Sequence, residues 1–245
     1  MAASRAIQCT VSTRSDIWAT GYYTGVLTER RGIDAFFPGP YLSYYTLPTP
    51  EEVQNAFDMI DEIIEEEGPF DGVIGFSQGS ALASSYILND LRSGRPCNPF
   101  KCAIFFNATV PWDLRSPPFH VSEDGSCRMA DTNEPMVNFD VNEMVPERGG
   151  CNGYTGPVSY EAKYLHRYGS PYANSEKAQI TIPTLHIVGA NDDYLSQSLQ
   201  VRDLCTMQGR RFLQHRGGHE IPSDRMSSAK VVSEIQSMLQ QVLVG

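Results

Sequence analysis

Five consecutive residues, Gly75-Phe76-Ser77-Gln78-Gly79, spell the pattern G-x-S-x-G. The pattern alone is common; its setting gives it chemical meaning. Residues 71–76 read as a short apolar strand, and Ala81, Leu82, Ser85, Tyr86 and Leu88 then recur at helical spacing. A sharp strand-to-helix turn presents a serine hydroxyl at the edge of a sheet, and flanking glycines let neighbouring backbone crowd against it. The free N–H groups at the helix start point toward negative charge developing on a carbonyl oxygen. Ser77 is therefore a candidate nucleophile, and the backbone N–H of Gln78 is a candidate oxyanion donor.

A serine hydroxyl attacks poorly unless a base removes its proton. The chain offers five histidines: His120, His166, His186, His215 and His219. His120 and His166 fall in an irregular stretch, and His186 lies inside an apolar run that reads as strand, which suits a core histidine. His215 and His219 both follow the last strand pattern. His219 comes after Gly217-Gly218 and just before the final helix, on a loop able to reach the serine, so it is the preferred base. The His215/His219 spacing could also suggest a metal pair on one helix face. Two intervening glycines argue against a helix there, and no HExxH pattern is present, so neither a metal nor a cofactor is expected. The third member of such a set orients the imidazole and stabilises its cation. Asp192 and Asp193 follow a strand at residues 182–188 through Gly189-Ala190-Asn191, at the end where parallel sheets place function. The order serine, aspartate, histidine is that of α/β-hydrolases.

Other elements must hold these loops. Thr49-Pro50-Glu51-Glu52 combines an N-cap, a proline at the first helical position and a glutamate at N3, which predicts a capping box. Val53, Ala56, Phe57, Ile60, Ile63 and Ile64 then form one apolar face, ended by Gly68-Pro69. The Glu65-Glu66-Glu67 run at its end is read as a solvated last turn. Further strands are expected at residues 101–106 and 211–214. A closing amphipathic helix carries Met226, Ala229, Val232, Ile235, Met238, Leu239 and Val242. Alternating strands and helices predict an α/β fold with a mainly parallel sheet covered on both faces. Residues 1–245 are expected to form one domain. Residues 111–178, rich in Pro, Gly, Ser and Asn with tyrosines spread through them, break the rhythm and read as a lid or insertion.

Composition bounds the rest. The 245 residues carry 19 basic and 29 acidic side chains, for a net charge of −10. That balance argues against nucleic acid and anionic membranes as partners, because both require clustered cations. Six scattered cysteines (Cys9, Cys97, Cys102, Cys127, Cys151 and Cys205) form no CxxC pair and read as free thiols of a reducing compartment. No signal-like or membrane-spanning apolar run is visible, so a cytoplasmic location is expected.

Residues 68–83, with Phe36-Phe37-Pro38-Gly39-Pro40-Tyr41, the Gly189-x-x-Asp192 turn and Gly217-Gly218-His219-x-x-Pro222, resemble the fungal serine hydrolase (FSH) family. That family includes LovG-type and citrinin-pathway hydrolases of polyketide biosynthesis. The resemblance covers the chain from about residue 32 onward. It implies Ser77 as nucleophile, His219 as base and Asp192 as acid, with Asp193 standing where a proline is common. The chain departs from the family at its start, where members carry a strand ending in a Leu-His-Gly-x-Gly-type loop. No His-Gly pair precedes Phe36, so the first strand is expected to be missing or altered and the second oxyanion donor has no assigned source; Gly21 or Gly25 could form a substitute loop.

The resemblance implies a serine esterase or thioesterase acting through an acyl-enzyme on a polyketide or related acyl group. A free small-molecule ester is the alternative substrate, and acyl transfer to an alcohol or amine would use the same residues. An acyl-carrier protein is the implied partner for a thioester. Its docking would need a local basic patch, for which Arg30, Arg31, Arg92 and Arg95 are candidates. A catalytically impaired binding protein is the rival from another class.

Overall fold

The computed structural model describes residues 6–9, 43–93, 98–137, 160, 162–173 and 179–244. Among them a parallel sheet runs in the order β1-β2-β3-β8-β9. Its strands are β1 (Ala6–Cys9), β2 (Gly72–Phe76), β3 (Cys102–Phe106), β8 (Thr184–Gly189) and β9 (Arg210–His215). Helices α1 (Pro50–Glu67), α2 (Gln78–Ser93), α3 (Leu195–Asp203) and α4 (Arg225–Val244) cover it.

The central strands are buried on both faces, as parallel strands between helix layers must be. Every residue of β3 and β8 is buried. On one face Val73, Ala103 and Phe105 pack with α1 and α2 through Val53, Phe57, Ile60, Leu82 and Tyr86. On the other, Cys102, Ile104, Phe106, Leu185 and Ile187 pack against Val231 and Met238 of α4. The period of two within β3 thus feeds two separate cores. The layering is that of an α/β-hydrolase.

Helix α1 forms where its cap and apolar face predict it. Thr49 Oγ1 accepts the Glu52 N–H at 3.2 Å. The Glu52 carboxylate does not close the box on Thr49; it reaches further back and accepts the N–H groups of Thr46 and Leu47 at 2.5 and 3.0 Å. The cap therefore also anchors the segment that enters the helix.

Two features differ from the sequence reading. First, a strand does precede α1: Ala6–Cys9 pairs in parallel with Gly72–Gly75 at the sheet edge. The expectation of a missing first strand is corrected to that extent. A four-residue strand, AIQC, carries too little periodicity to stand out in sequence. Residues 10–42, with Gly21, Gly25 and the segment 36–41, lie outside the described residues.

Second, the stretch from Pro111 carries short strands among its described residues. Strand β4 (Trp112–Asp113) pairs antiparallel with β7 (His166–Arg167), and β5 (Phe119–Val121) with β6 (Cys127–Met129). Trp112, Phe119, Tyr164 and Tyr168 are buried in the α1/α2 core. Trp112 donates its N–H to Ser85 Oγ at 2.7 Å and its Nε1–H to the Tyr45 hydroxyl at 3.0 Å. Two- and three-residue strands leave no readable period, so the aromatics were the visible sign that this region packs on something. Residues 138–159, 161 and 174–178 lie outside the description.

Candidate active site

Ser77 sits between β2 and α2 at the carboxyl end of the sheet, with φ of 51°. Its N–H donates to the Phe106 carbonyl at 3.0 Å, and its own carbonyl accepts from Ser80 and Ala81 at 3.1 Å each. So sharp a turn needs a bare residue beneath it. A Cβ on Gly75 would lie 2.6 Å from the Ser80 N and Cα atoms, so a glycine is required there. Gln78 opens α2, and its N–H has no acceptor within the helix. Its buried side chain accepts the Tyr44 N–H at 3.1 Å and donates to the Tyr45 carbonyl at 3.0 Å. Residues 44 and 45 are thereby fastened beside the turn.

Asp192 follows β8 through a tight turn in which its N–H donates to the Gly189 carbonyl at 3.3 Å. Its carboxylate is fully buried and accepts the Tyr194 N–H at 2.8 Å. Asp193 beside it is exposed.

His219 follows β9. Its Nδ1 lies 3.1 and 3.0 Å from the two Asp192 oxygens, and its Nε2 lies 2.8 Å from Ser77 Oγ. An ionised carboxylate only accepts, so Nδ1 carries the proton and Nε2 is free to accept the serine hydroxyl. Phe76 and Tyr194 pack on the imidazole at centroid distances of 5.2 and 5.1 Å. The structure thus brings Ser77, Asp192 and His219 into one hydrogen-bonded line, with the Gln78 N–H beginning the helix beside them.

The other histidines have other places. His120 Nδ1 lies 3.2 Å from the Ala162 carbonyl. His166 is buried against Phe119, and burial lowers its pKa, opposed by Asp113. His186 packs on Phe105, and its Nε2 lies 3.1 Å from Thr184 Oγ1. Burial, helped by Arg210 and Arg202, pushes His186 down to about 3. His215 Nδ1 accepts the Gly217 N–H at 3.1 Å, so the histidine set aside as base shapes the glycine turn leading to the other one.

Phe76 and Tyr194 were not singled out in the sequence, although each lies within two residues of a predicted site residue. Asn107 was missed as well; its position just past an apolar strand is the signal that could have found it. Among the described residues, no group of three or more His, Cys, Asp or Glu side chains could hold a metal ion. No helix among them is long and apolar enough to cross a membrane.

Comparison with known proteins gives the chain a family. The family model described as Serine hydrolase (FSH1) matches residues 44–231. Esterase alnB of Emericella nidulans is 31% identical over 221 residues, covering 79% of this chain and 75% of alnB. Serine hydrolase cnsH of Penicillium expansum is 40% identical over 215 residues, covering 78% of this chain and 86% of cnsH. Among solved structures, ClbQ from the colibactin NRPS/PKS pathway shows a loose likeness, with a TM-score of 0.47 and 15% identity over 99% of this chain and 100% of ClbQ. The family match begins at the segment that Gln78 fastens and runs past Ser77, Asp192 and His219 into α4, and on that extent the chain belongs to the FSH1 family of serine hydrolases.

Proposed function

We propose that this serine hydrolase cleaves an ester or thioester of a polyketide-like acyl chain through a covalent acyl-enzyme. The observation that carries the reading is the single imidazole lying 2.8 Å from Ser77 Oγ and 3.0 Å from the Asp192 carboxylate. Ser77 Oγ attacks the acyl carbonyl while His219 Nε2 takes its proton. The tetrahedral oxyanion is stabilised by the Gln78 N–H at the start of α2. The C–O or C–S bond then breaks, and His219 returns the proton to the departing alcohol or thiol. Water, deprotonated by His219, attacks the acyl-serine; the acid leaves and Ser77 regains its hydrogen. Asp192 stays ionised throughout, holding the imidazole's tautomer and stabilising its cation.

The resemblance to LovG-type and citrinin-pathway hydrolases supports the polyketide acyl group, and the names of alnB and cnsH support esterase and serine hydrolase chemistry. We propose that residues 111–178 form a lid or insertion. This segment leaves the sheet at the carboxyl end of β3, the end from which the Ser77, Asp192 and His219 loops also leave. An acyl-carrier protein is the proposed donor of a thioester. The net charge of −10 favours the second reading, a free small ester, because carrier proteins are themselves acidic. Of the arginines proposed for docking, Arg30, Arg31 and Arg95 and the Arg92 side chain lie outside the described residues. Buried Cys102 and Cys205, which form no disulfide, support a reducing, cytoplasmic setting.

A fluorophosphonate probe tests the chemistry. Labelling is expected on wild-type protein, at Ser77 by peptide mapping, and is expected to vanish in Ser77→Ala. A wild-type protein that resists the probe where a reference esterase reacts would instead be a binding protein. Acyl-pantetheine thioesters, assayed against the matching ethyl esters, separate the two substrate readings.

A further inference from the structure

A buried side chain outside the set Ser77, Asp192 and His219 ties together the loops that carry them. Asn107 immediately follows β3, is wholly buried and holds φ of 43°. Its backbone N–H donates to the Ile187 carbonyl of β8 at 2.9 Å. Its side-chain Oδ1 accepts the N–H of Gly189, where the Asp192 turn begins, at 2.8 Å. Its Nδ2 donates to the carbonyl of Glu220, next in chain to His219, also at 2.8 Å. One residue earlier, the Phe106 carbonyl receives the Ser77 N–H at 3.0 Å and Ser80 Oγ at 3.2 Å. Two adjacent residues at the end of β3 therefore grip the serine turn, the aspartate turn and the histidine loop.

The chemistry of the side chain suits the task. An amide offers one acceptor and one donor on a rigid plane, so two opposite backbone groups can be held at a set separation. A carboxylate would offer two acceptors, and an aliphatic chain neither. Asparagine also tolerates left-handed backbone better than most residues. Other bonds join the same two loops: Ala190 N–H to the His215 carbonyl at 2.8 Å, Asn191 N–H to Gly217 at 3.0 Å, and Asn191 Nδ2 to Arg216 at 2.7 Å. All of them lie before His219. The Asn107 amide returns the chain to the sheet just after it.

We infer that Asn107 is a positioning residue for acyl transfer, its amide spanning Gly189 and Glu220 and so holding the His219 imidazole within reach of Ser77. The inference rests on the triad proposed above.

Two variants test it. Asn107→Gly removes the amide without adding strain at φ of 43°. Asn107→Asp keeps an acceptor for the Gly189 N–H but loses the donor to Glu220. Hydrolysis of p-nitrophenyl butyrate gives kcat and KM. The downfield proton NMR resonance of the His219 Nδ1–H, facing Asp192, reports the loop geometry without needing turnover. Both variants are expected to lower kcat roughly 10- to 100-fold, with KM within about twofold and the downfield resonance shifted or lost. Ser85→Ala is the control: this buried serine accepts the Trp112 N–H at 2.7 Å and donates to the Ala81 carbonyl at 2.6 Å, away from the site. It is expected to lower Tm and leave kcat and the resonance as in wild type. All measurements are made below the unfolding transition of the least stable variant.

If either folded Asn107 variant lowers Tm as Ser85→Ala does but keeps wild-type kcat and resonance, the amide is a structural bond only and the inference is overturned. Failure of the triad reading looks different. Ser77→Ala would then still hydrolyse the ester, or Asp192→Ala would keep the downfield signal, and both readings would fall together.

Discussion

Ser77 is held in a left-handed conformation that costs a non-glycine residue roughly 1–2 kcal/mol. The hydroxyl stands where it does because neighbouring bonds, including that from the Ser77 N–H to the Phe106 carbonyl, offset that cost. Ser77→Ala and Ser77→Gly should both reduce kcat by up to about 10⁶-fold. The glycine variant, relieved of strain, should be at least as stable as the alanine variant in urea unfolding; a clearly less stable glycine variant would show that the turn is not strained. The two neighbouring carboxylates should separate cleanly. Asp192→Asn leaves the wrong tautomer facing Ser77 and should cost about 10⁴-fold in kcat. Exposed Asp193, changed to asparagine, should keep most of the wild-type kcat/KM. The reverse ranking would move the orienting role to Asp193.

At the scale of elements, the site depends on how closely the ends of β8 and β9 approach. A Cβ on Gly189 would lie 2.1 Å from the Gly218 carbonyl oxygen and 2.6 Å from that of Gly217. Gly189→Ala must therefore push the Asp192 turn and the His219 loop apart. It should cost about 1–3 kcal/mol of stability by the usual penalty for overpacking, and lower kcat as well. Urea unfolding and steady-state kinetics on the same preparation would check both, and an alanine variant with wild-type kcat would show that the loops can separate without harm. Elements of this kind differ in how well sequence announces them. Helix α1 was legible because its cap, its proline and its apolar stripe agree. Helix α3 was not, since its nine residues bury only Ser198 and Val201 and carry no stripe.

The stability of the whole molecule depends on pH through a buried histidine outside the candidate triad. His186 is neutral in the fold, with its pKa pushed down to about 3 chiefly by burial. Once unfolded it titrates near 6.5, so below that pH the unfolded chain binds a proton that the folded chain refuses. Stability is therefore complete above pH 6.5 and falls as pH drops toward 3. At pH 5 the loss from this group is about 2 kcal/mol. Urea midpoints at pH 7 and pH 5 should differ more for wild type than for His186→Phe, and equal differences would remove His186 as the cause. Buried thiols behave consistently with the same dry core: burial raises Cys102 to about 11 and Cys205 to about 12. Both should resist iodoacetamide in the native protein and react once it is unfolded, as peptide mapping would show.

The reactive elements could be read from the chain because each is local. A strand, a glycine-flanked serine and a helix must be contiguous to make the turn at Ser77, and Gly189-x-x-Asp192 and Gly217-Gly218-His219 are likewise compact signals. Composition and alternating periodicity were enough for the layered α/β class. Sequence could not supply what depends on separation in space. Both His215 and His219 follow the last strand, and only the folded loops set His219 facing Ser77. The buried aromatics of residues 111–178 meet α1 and α2 across long intervals of chain. Asn107, an unremarked asparagine after a strand, gains its place only because folding sets Gly189 on one side of it and Glu220 on the other, 82 and 113 residues away. Local pattern is written in neighbouring residues; the distance between loops is decided by packing, which no stretch of the chain holds alone.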